Sequence, residues 1–303
     1  MELLHLLFVF LNIESVFSLI NFDLTHSIKS TNPIFPGLTP FNFTQTYTSW
    51  GLDGDTNESY FKALNTFITG EHFGTHIDAP YHGSNASWSV EQIPFERLVS
   101  IQALIVDVSK KSLRNRNYEI QIEDLNEDAM QQANGFYVLL FYTGKSKFWP
   151  DQITYTGGEL REELEFPGLS VQLASYLVNK YSDKLVGVGI DTLSIDPGSS
   201  KDFRAHRILF KENIYVLENV AELHRVLTYL SNRRETLFSL DVLPMKIEGG
   251  TGAPCRIVAR LENIDDAGGE WFGFLIFCLL LMLIGIAAKE IYGFKFHPDK
   301  NFS

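Results

Sequence analysis

EHFGTHIDAPYH, residues 71–82, gathers His72, His76, Asp78 and His82 into a single stretch of a 303-residue chain that has only 8 histidines. Imidazole and carboxylate are the usual ligands of zinc and related divalent ions. His72 and His76 are four apart, a spacing that suits one face of a helix, but Gly74 and Pro80 argue against a helix here. In a straight strand the two imidazoles would stand ~13 Å apart at ~3.3 Å per residue, too far for one ion to reach both. The segment must therefore bend. Gly74 permits the bend, and Pro80 stiffens the exit. A curved loop wrapped around an ion accounts for these choices together, whereas a set of unrelated surface or core histidines leaves the Asp, the Gly and the Pro unexplained.

Outward from this stretch, the chain reads as one domain over residues 19–262. Hydrophobic residues make up 45% of it, enough for a core, and the formal net charge is −12. So acidic a chain, with no Lys/Arg cluster, is a poor binder of phosphate backbones, which argues against nucleic acid as a partner. "IQALIVDVS", "GFYVLLFYTG", "KLVGVGIDTLSID" and "NIYVLENV" are apolar, β-branched runs of the buried-strand type. Further strands are predicted in "TLFSLDVLPMKI" and "PCRIVARL". Helical spacing appears in "IQIEDLNEDAMQQ" and in "SVQLASYLVNKYS", the latter opened by Gly168 or Ser170. Residues 31–60, rich in Pro, Gly, Asn and Thr, read as an extended excursion. The pattern is mixed α/β, with more strands than a simple βαβ alternation supplies.

The ends suggest handling by a membrane. Residues 1–18 read as a signal peptide, although Glu2 stands where Lys or Arg is usual. "WFGFLIFCLLLMLIGIAA", residues 271–288, carries no charge, and eighteen helical residues would cover roughly 27 Å, close to a bilayer core. Residues 263–270 form a polar linker before it and residues 289–303 a Lys-bearing tail after it, so a single-pass anchor with an extracellular or lumenal domain and a cytosolic tail is expected. Glycolipid anchoring and secretion are the alternatives. Sequons at Asn42, Asn57 and Asn85 agree with such a route. Of the two cysteines, Cys278 falls in the apolar segment, which leaves Cys255 without a disulfide partner.

HFGTHIDAPYH resembles the HxGTHxDxPxH signature of the metal-dependent cyclase family, which includes bacterial-type kynurenine formamidases and isatin hydrolases. Every fixed position is present: His72, Gly74, Thr75, His76, Asp78, Pro80 and His82. "DLTHSI" resembles the family's opening block. "TGK" at 143–145 resembles its TGW-type turn, with Lys145 departing from Trp. "GIDTLSIDP", "AHRILFKENIYVLENV" and "LPMKIEGGTGAPCRIVA" resemble its later blocks.

The resemblance implies a mixed-sheet β/β/α swivelling domain, assembled as a homo-oligomer, with two divalent ions, zinc first and manganese second. His72, His76 and Asp78 would hold one ion, and Asp78 would bridge to another completed by His206 and Glu218. His82 would be the acid/base group. Asp191, Ser194 and Asp196 would support the site or simply form a turn. The implied reaction is hydrolysis of a carbon–nitrogen amide bond in a small molecule, with N-formyl-L-kynurenine, giving L-kynurenine and formate, as the leading substrate. Cyclic amides or lactones, as in isatin hydrolases, and a non-catalytic ectodomain that binds a partner are the alternatives.

Overall fold

The computed structural model describes residues 18–263 and 277–285, and residues 21–260 form one compact unit. Its centre is a run of parallel strands: β5 (Ile101–Asp107), β7 (Tyr137–Tyr142), β9 (Leu185–Ile190) and β10 (Tyr215–Glu218), paired in that order. β7, β9 and β10 are buried along their whole length. Covered on both faces, such strands need continuous apolar sequence, which is why they were conspicuous as unbroken runs.

The sheet then turns antiparallel and closes. β10 pairs with the three-residue β4 (His76–Asp78), β4 with β12 (Gly252–Asn263), β12 with β11 (Phe238–Pro244), and β11 with β5. The ring β12-β11-β5-β7-β9-β10-β4 is a mixed-sheet barrel, to which β1 (Ser18–Asp23) adds beside β12. β4 is the closing strand, so the barrel is completed by part of the His-rich stretch itself.

Helix α1 (Ser109–Arg114) follows β5, and the two-residue strands β6 (Glu119–Ile120) and β8 (Gly168–Leu169) pair in parallel as a separate small sheet. Over 120–132, where a helix is expected, the chain instead makes a 3₁₀ turn at Ile122–Asp124 and a short helix α2, Glu127–Gln131. The Asp124 carboxylate accepts from Gln121 N and Tyr118 Oη, and Asn126 caps the new helix by accepting from Ala129 N. Side chains that bond local backbone favour such turns and caps over a helix interior. Helix α3 (Gln152–Thr156) precedes α4 (Val171–Tyr181), which Ser170 caps as expected by accepting from Leu173 N. α5 (Arg204–Phe210) and α6 (Leu223–Arg233) flank β10 in sequence. A main core joins β5, β7 and β9 to α4 and α5 through side chains such as Leu139, Val188, Leu173 and Leu209.

The excursion at 31–60 is more ordered than its composition predicts. It feeds a long hairpin of β2 (Asn42–Leu52) and β3 (Ser59–Ile68), whose residues are almost all exposed. Asp53 turns it by accepting from the backbone N–H of Asp55 and Thr56.

The membrane placement requires correction. No helix among the described residues is long and apolar enough to cross a membrane. Of the span expected at 271–288, residues 277–285 are helical, and its other residues lie outside those described. A single-pass anchor with an outward-facing domain is therefore not what the structure supports. The linker after residue 263, the tail at 289–303 and the leader up to residue 17 lie outside the described residues. Asn42, Asn57 and Asn85 are exposed, but without the span nothing structural argues that they meet a glycosylating compartment.

Candidate metal centre

The bend anticipated at Gly74 is present: its φ is +68°, in the left-handed region that glycine enters without steric cost. The turn is fixed from outside the motif. Asn219 donates from Nδ2 to the Gly74 carbonyl at 2.8 Å, and Thr75 Oγ1 donates to the Asn219 carbonyl at 2.7 Å. Pro80 opens a 3₁₀ turn over Pro80–His82, which returns His82 toward His72, with ring centroids 4.1 Å apart.

Register supplies the rest of the cluster. Glu218 lies opposite His76 where β10 pairs with β4. His76 and Asp78, two apart on β4, share a face, and Glu218 joins them there. His206 comes from α5. The structure thus brings together all six residues singled out in the sequence: His72, His76, Asp78, His82, His206 and Glu218.

The hydrogen-bond pattern shows what the cluster is built to hold. His76 Nδ1 donates to the Gly74 carbonyl at 2.9 Å, so its Nε2 carries the lone pair. That Nε2 is buried without a hydrogen-bond partner and faces Asp78 Oδ1 at 3.1 Å and Glu218 Oε2 at 3.4 Å. His206 Nδ1 lies 2.6 Å from Asp196 Oδ2, while its Nε2 faces Asp78 Oδ2 at 3.2 Å and Glu218 Oε1 at 3.0 Å. The Thr251 hydroxyl donates to Glu71, so it accepts from His72 Nε2 at 2.9 Å. His72 Nδ1 is left facing Asp78 Oδ1 at 2.6 Å.

Three imidazoles thus place their N–H on an acceptor outside the cluster and turn the other nitrogen toward two buried carboxylates. Lone pairs facing carboxylates repel unless a proton or a cation lies between them. Without a metal, protons fill that role at His76 and His206. Burial disfavours the His76 cation, but Asp78 and Glu218 overcome it and raise its pKa to about 10. His206 is likewise raised well above the ordinary range, burial being outweighed by Asp196, Asp78 and Glu218. Burial also works against the Asp78 carboxylate, yet the neighbouring His72 and His76 hold its pKa well below the usual range. A divalent cation would satisfy the same donor set with deprotonated ligands, and outer acceptors that fix each imidazole are the usual second layer of such sites. The residues fit a metal.

Asp78 is common to two groups of converging ligand atoms, His72–Asp78–His82 and His76–Asp78–Glu218. This division differs from the one the resemblance implies, since it groups His82 with His72 and Asp78, their ligand atoms within 4.8 Å of one another, and separates His72 from His76. His82 reaches solvent at the rim, but burial by the rings packed around it lowers its pKa, the charges of Asp78 and Glu218 opposing and those of His72 and His206 assisting.

Asp196 supports the site, whereas Asp191 points elsewhere: it accepts from Thr143, Gly144 and Ser146 and pins the TGK turn. Ser194 lines the cavity. Sequence reading assigned no role to Glu71 and Thr251, which hold His72, nor to Gly252, where a Cβ would come within 2.6 Å of His72 Cε1. These residues lie far from their partners along the chain, and only the β4–β12 pairing brings Thr251 and Gly252 to His72. The cluster opens into a cavity of about 420 Å³ whose other walls include Phe35, Leu38, Leu193, Phe203 and Phe210.

Residues 22–197, more than half of the chain, match the Cyclase family, described as "Putative cyclase". The kynurenine formamidase of Bacillus mycoides (strain KBAB4) is 30% identical over 247 residues, covering 78% of this chain and 96% of that protein. Among solved structures, isatin hydrolase A from Ralstonia solanacearum superposes with a TM-score of 0.67 at 23% identity, covering 86% of this chain and 97% of the other. Isatin hydrolase A from Labrenzia aggregata, bound to benzyl benzoate, gives the same TM-score and identity over 86% of this chain and all of its own. With the motif, the closed barrel and these relatives in agreement, the chain belongs to the cyclase family.

Proposed function

We propose that the chain is a metal-dependent hydrolase of carbon–nitrogen amide bonds, with an aryl formamide of the N-formyl-L-kynurenine type as its leading substrate, giving L-kynurenine and formate. The observation that carries this reading is the set of three imidazole nitrogens turned inward on Asp78 and Glu218, each with its other nitrogen already satisfied. The kinship with kynurenine formamidases supplies the substrate class. Two divalent ions, zinc first and manganese second, would be held by His72, His76, Asp78, His206 and Glu218, with Asp78 between them. Bound there, they would make water a nucleophile near neutral pH and polarise the carbonyl it attacks.

The chain's own residues do the remainder. Asp196, Gly74 and Thr251 hold the imidazoles in one tautomer. The apolar wall of Phe35, Leu38 and Leu193 excludes water on one side of the cavity. His82, uncharged at neutral pH, takes the proton of the attacking water on its free ring nitrogen. It passes that proton to the departing nitrogen as the C–N bond breaks.

The test is turnover by the metal-loaded full chain on linear aryl formamides, cyclic amides and lactones, with metal content measured on the same sample. Turnover of linear aryl formamides above the rest is expected, and Asp78→Asn should lose metal from both positions together with activity. A fully metallated chain inert toward every amide would overturn the reading. Preference for cyclic amides would favour the isatin-type alternative, which the cavity's size also admits.

A further inference from the structure

Arg161 lies outside the metal centre, yet it ties together three segments at the cavity wall. Its guanidinium carbon stands 4.6 Å from the centroid of the Phe35 ring and 4.8 Å from that of Phe203. Nη2 donates to the Ser200 carbonyl at 2.7 Å. The two rings, 5.8 Å apart and tilted by 50°, both border the cavity. Phe35 also packs against the small core of Tyr155, Leu164, Phe166 and Leu193, while Phe203 meets His206 edge-on at 5.8 Å and 82°. Phe203 is held at a φ of +50°, a conformation that bulky side chains avoid and that persists only where the surroundings over-determine it. A guanidinium is planar and weakly hydrated, so it can lie against aromatic rings in a way a lysine ammonium cannot.

We propose that Arg161 is a positioning residue for substrate selection: by lying against Phe35 and Phe203 it fixes both rings as a rigid wall beside His206, which favours planar aromatic amides over aliphatic ones. This rests on the amide-hydrolase reading for its substrate class but not for its geometry. Aromatic rings gain offset or edge contacts on such a wall that a flexible aliphatic group does not. The wall selects only while it stays in place, because a mobile Phe35 or Phe203 would adapt to either ligand.

The experiment uses the full chain with Arg161→Ala, Arg161→Lys and Phe203→Leu. The ratio of kcat/KM for formanilide to that for N-methylformamide should fall about tenfold in Arg161→Ala, corresponding to roughly 1.4 kcal/mol of lost discrimination. The loss should come mainly through KM for formanilide. Arg161→Lys should recover part of it, and Phe203→Leu should lower the ratio in the same direction. Amide hydrogen exchange should quicken at residues 34–38 and 201–205 in Arg161→Ala, while β7 and β9 keep their protection. Faster exchange with an unchanged ratio would make Arg161 a structural staple and overturn the proposal, as would no change in either. If the parent chain hydrolyses no amide, the reading under Proposed function fails. Equilibrium binding of benzamide against acetamide then decides the wall by the same criteria: a preference for benzamide that Arg161→Ala abolishes supports it, and an unaltered preference overturns it.

Discussion

At the scale of single residues, His82 separates a ligand from a proton carrier. It stands beyond Pro80 on a 3₁₀ turn, against His72 and 6.3 Å from His206 between ring centroids, and burial keeps its imidazole uncharged near neutral pH. A neutral imidazole at the rim can accept a proton, which an imidazolium locked between carboxylates cannot. Replacing it by Ala should leave the metal content unchanged and lower the turnover number by roughly 10²- to 10⁴-fold, the usual worth of an acid/base group. The comparison requires metal content and turnover on the same preparation. Metal lost along with activity would make His82 a ligand, as its place in the His72–Asp78–His82 group allows. A metallated variant working at the parental rate would remove it from the reaction.

At the scale of elements, the packing of the chain after β1 on the loop before α3 sets a response to acid. His26 stacks on Trp149 with ring centroids 4.2 Å apart and planes 8° from parallel. Its Nε2 is buried without a partner, and burial lowers its pKa to about 4. The unfolded chain, with an ordinary histidine near 6.5, therefore binds more protons than the folded one between about pH 6.5 and 4. Stability consequently falls as pH drops through that window. His26→Phe keeps a stacking ring without a titrating group. Its urea midpoint, measured at pH 7 and at pH 4.5, should decline less than the parent's; an equal decline would show that His26 does not carry this loss. The same elements show what a sequence reveals. β7, β9 and β10 were legible because strands buried on both faces must be continuously apolar. The six residues of the cluster were legible because a motif and a twelve-residue spacing carry them, and Ser170 because capping is local. The helix expected over 120–132 broke because Asp124 and Asn126 bond nearby backbone. Arg161, Thr251 and Gly252 were not legible, since each acts on a side chain that only tertiary pairing brings near it.

At the scale of the whole molecule, the β2–β3 hairpin presents a row of exposed large apolar residues. Phe43, Tyr47, Trp50, Leu52, Tyr60, Phe61, Leu64, Phe67 and Ile68 are all at least 47% exposed. At roughly 100 Å² of accessible side chain apiece, about half of a large residue's full area, they offer some 900 Å² in order of magnitude over the hairpin's two faces, since strand neighbours such as Tyr60 and Phe61 point to opposite sides. Only the two faces together approach the roughly 800 Å² per partner of a standard interface. Between Asn42 and Ile68 the charges are sparse: Asp53, Asp55 and Glu58 cluster at the turn, and Lys62 is the lone cation. The strands therefore present a nearly uncharged surface, which suits an isologous contact with a second copy of the chain, where the same patch must meet itself. At its base Phe41 packs on both Phe67 and Phe73, with ring centroids 5.9 and 6.1 Å away, so the hairpin is anchored on the residue next to His72. Sedimentation of the purified chain should show a dimer or larger assembly that dissociates on dilution. Replacing Trp50 and Phe61 together by Ser, a pair opposed across the strands with centroids 5.2 Å apart, should shift it to monomer while the barrel stays folded by circular dichroism. A parent chain that remains monomeric at high micromolar concentration would leave the hairpin to a different partner and sink the pairing.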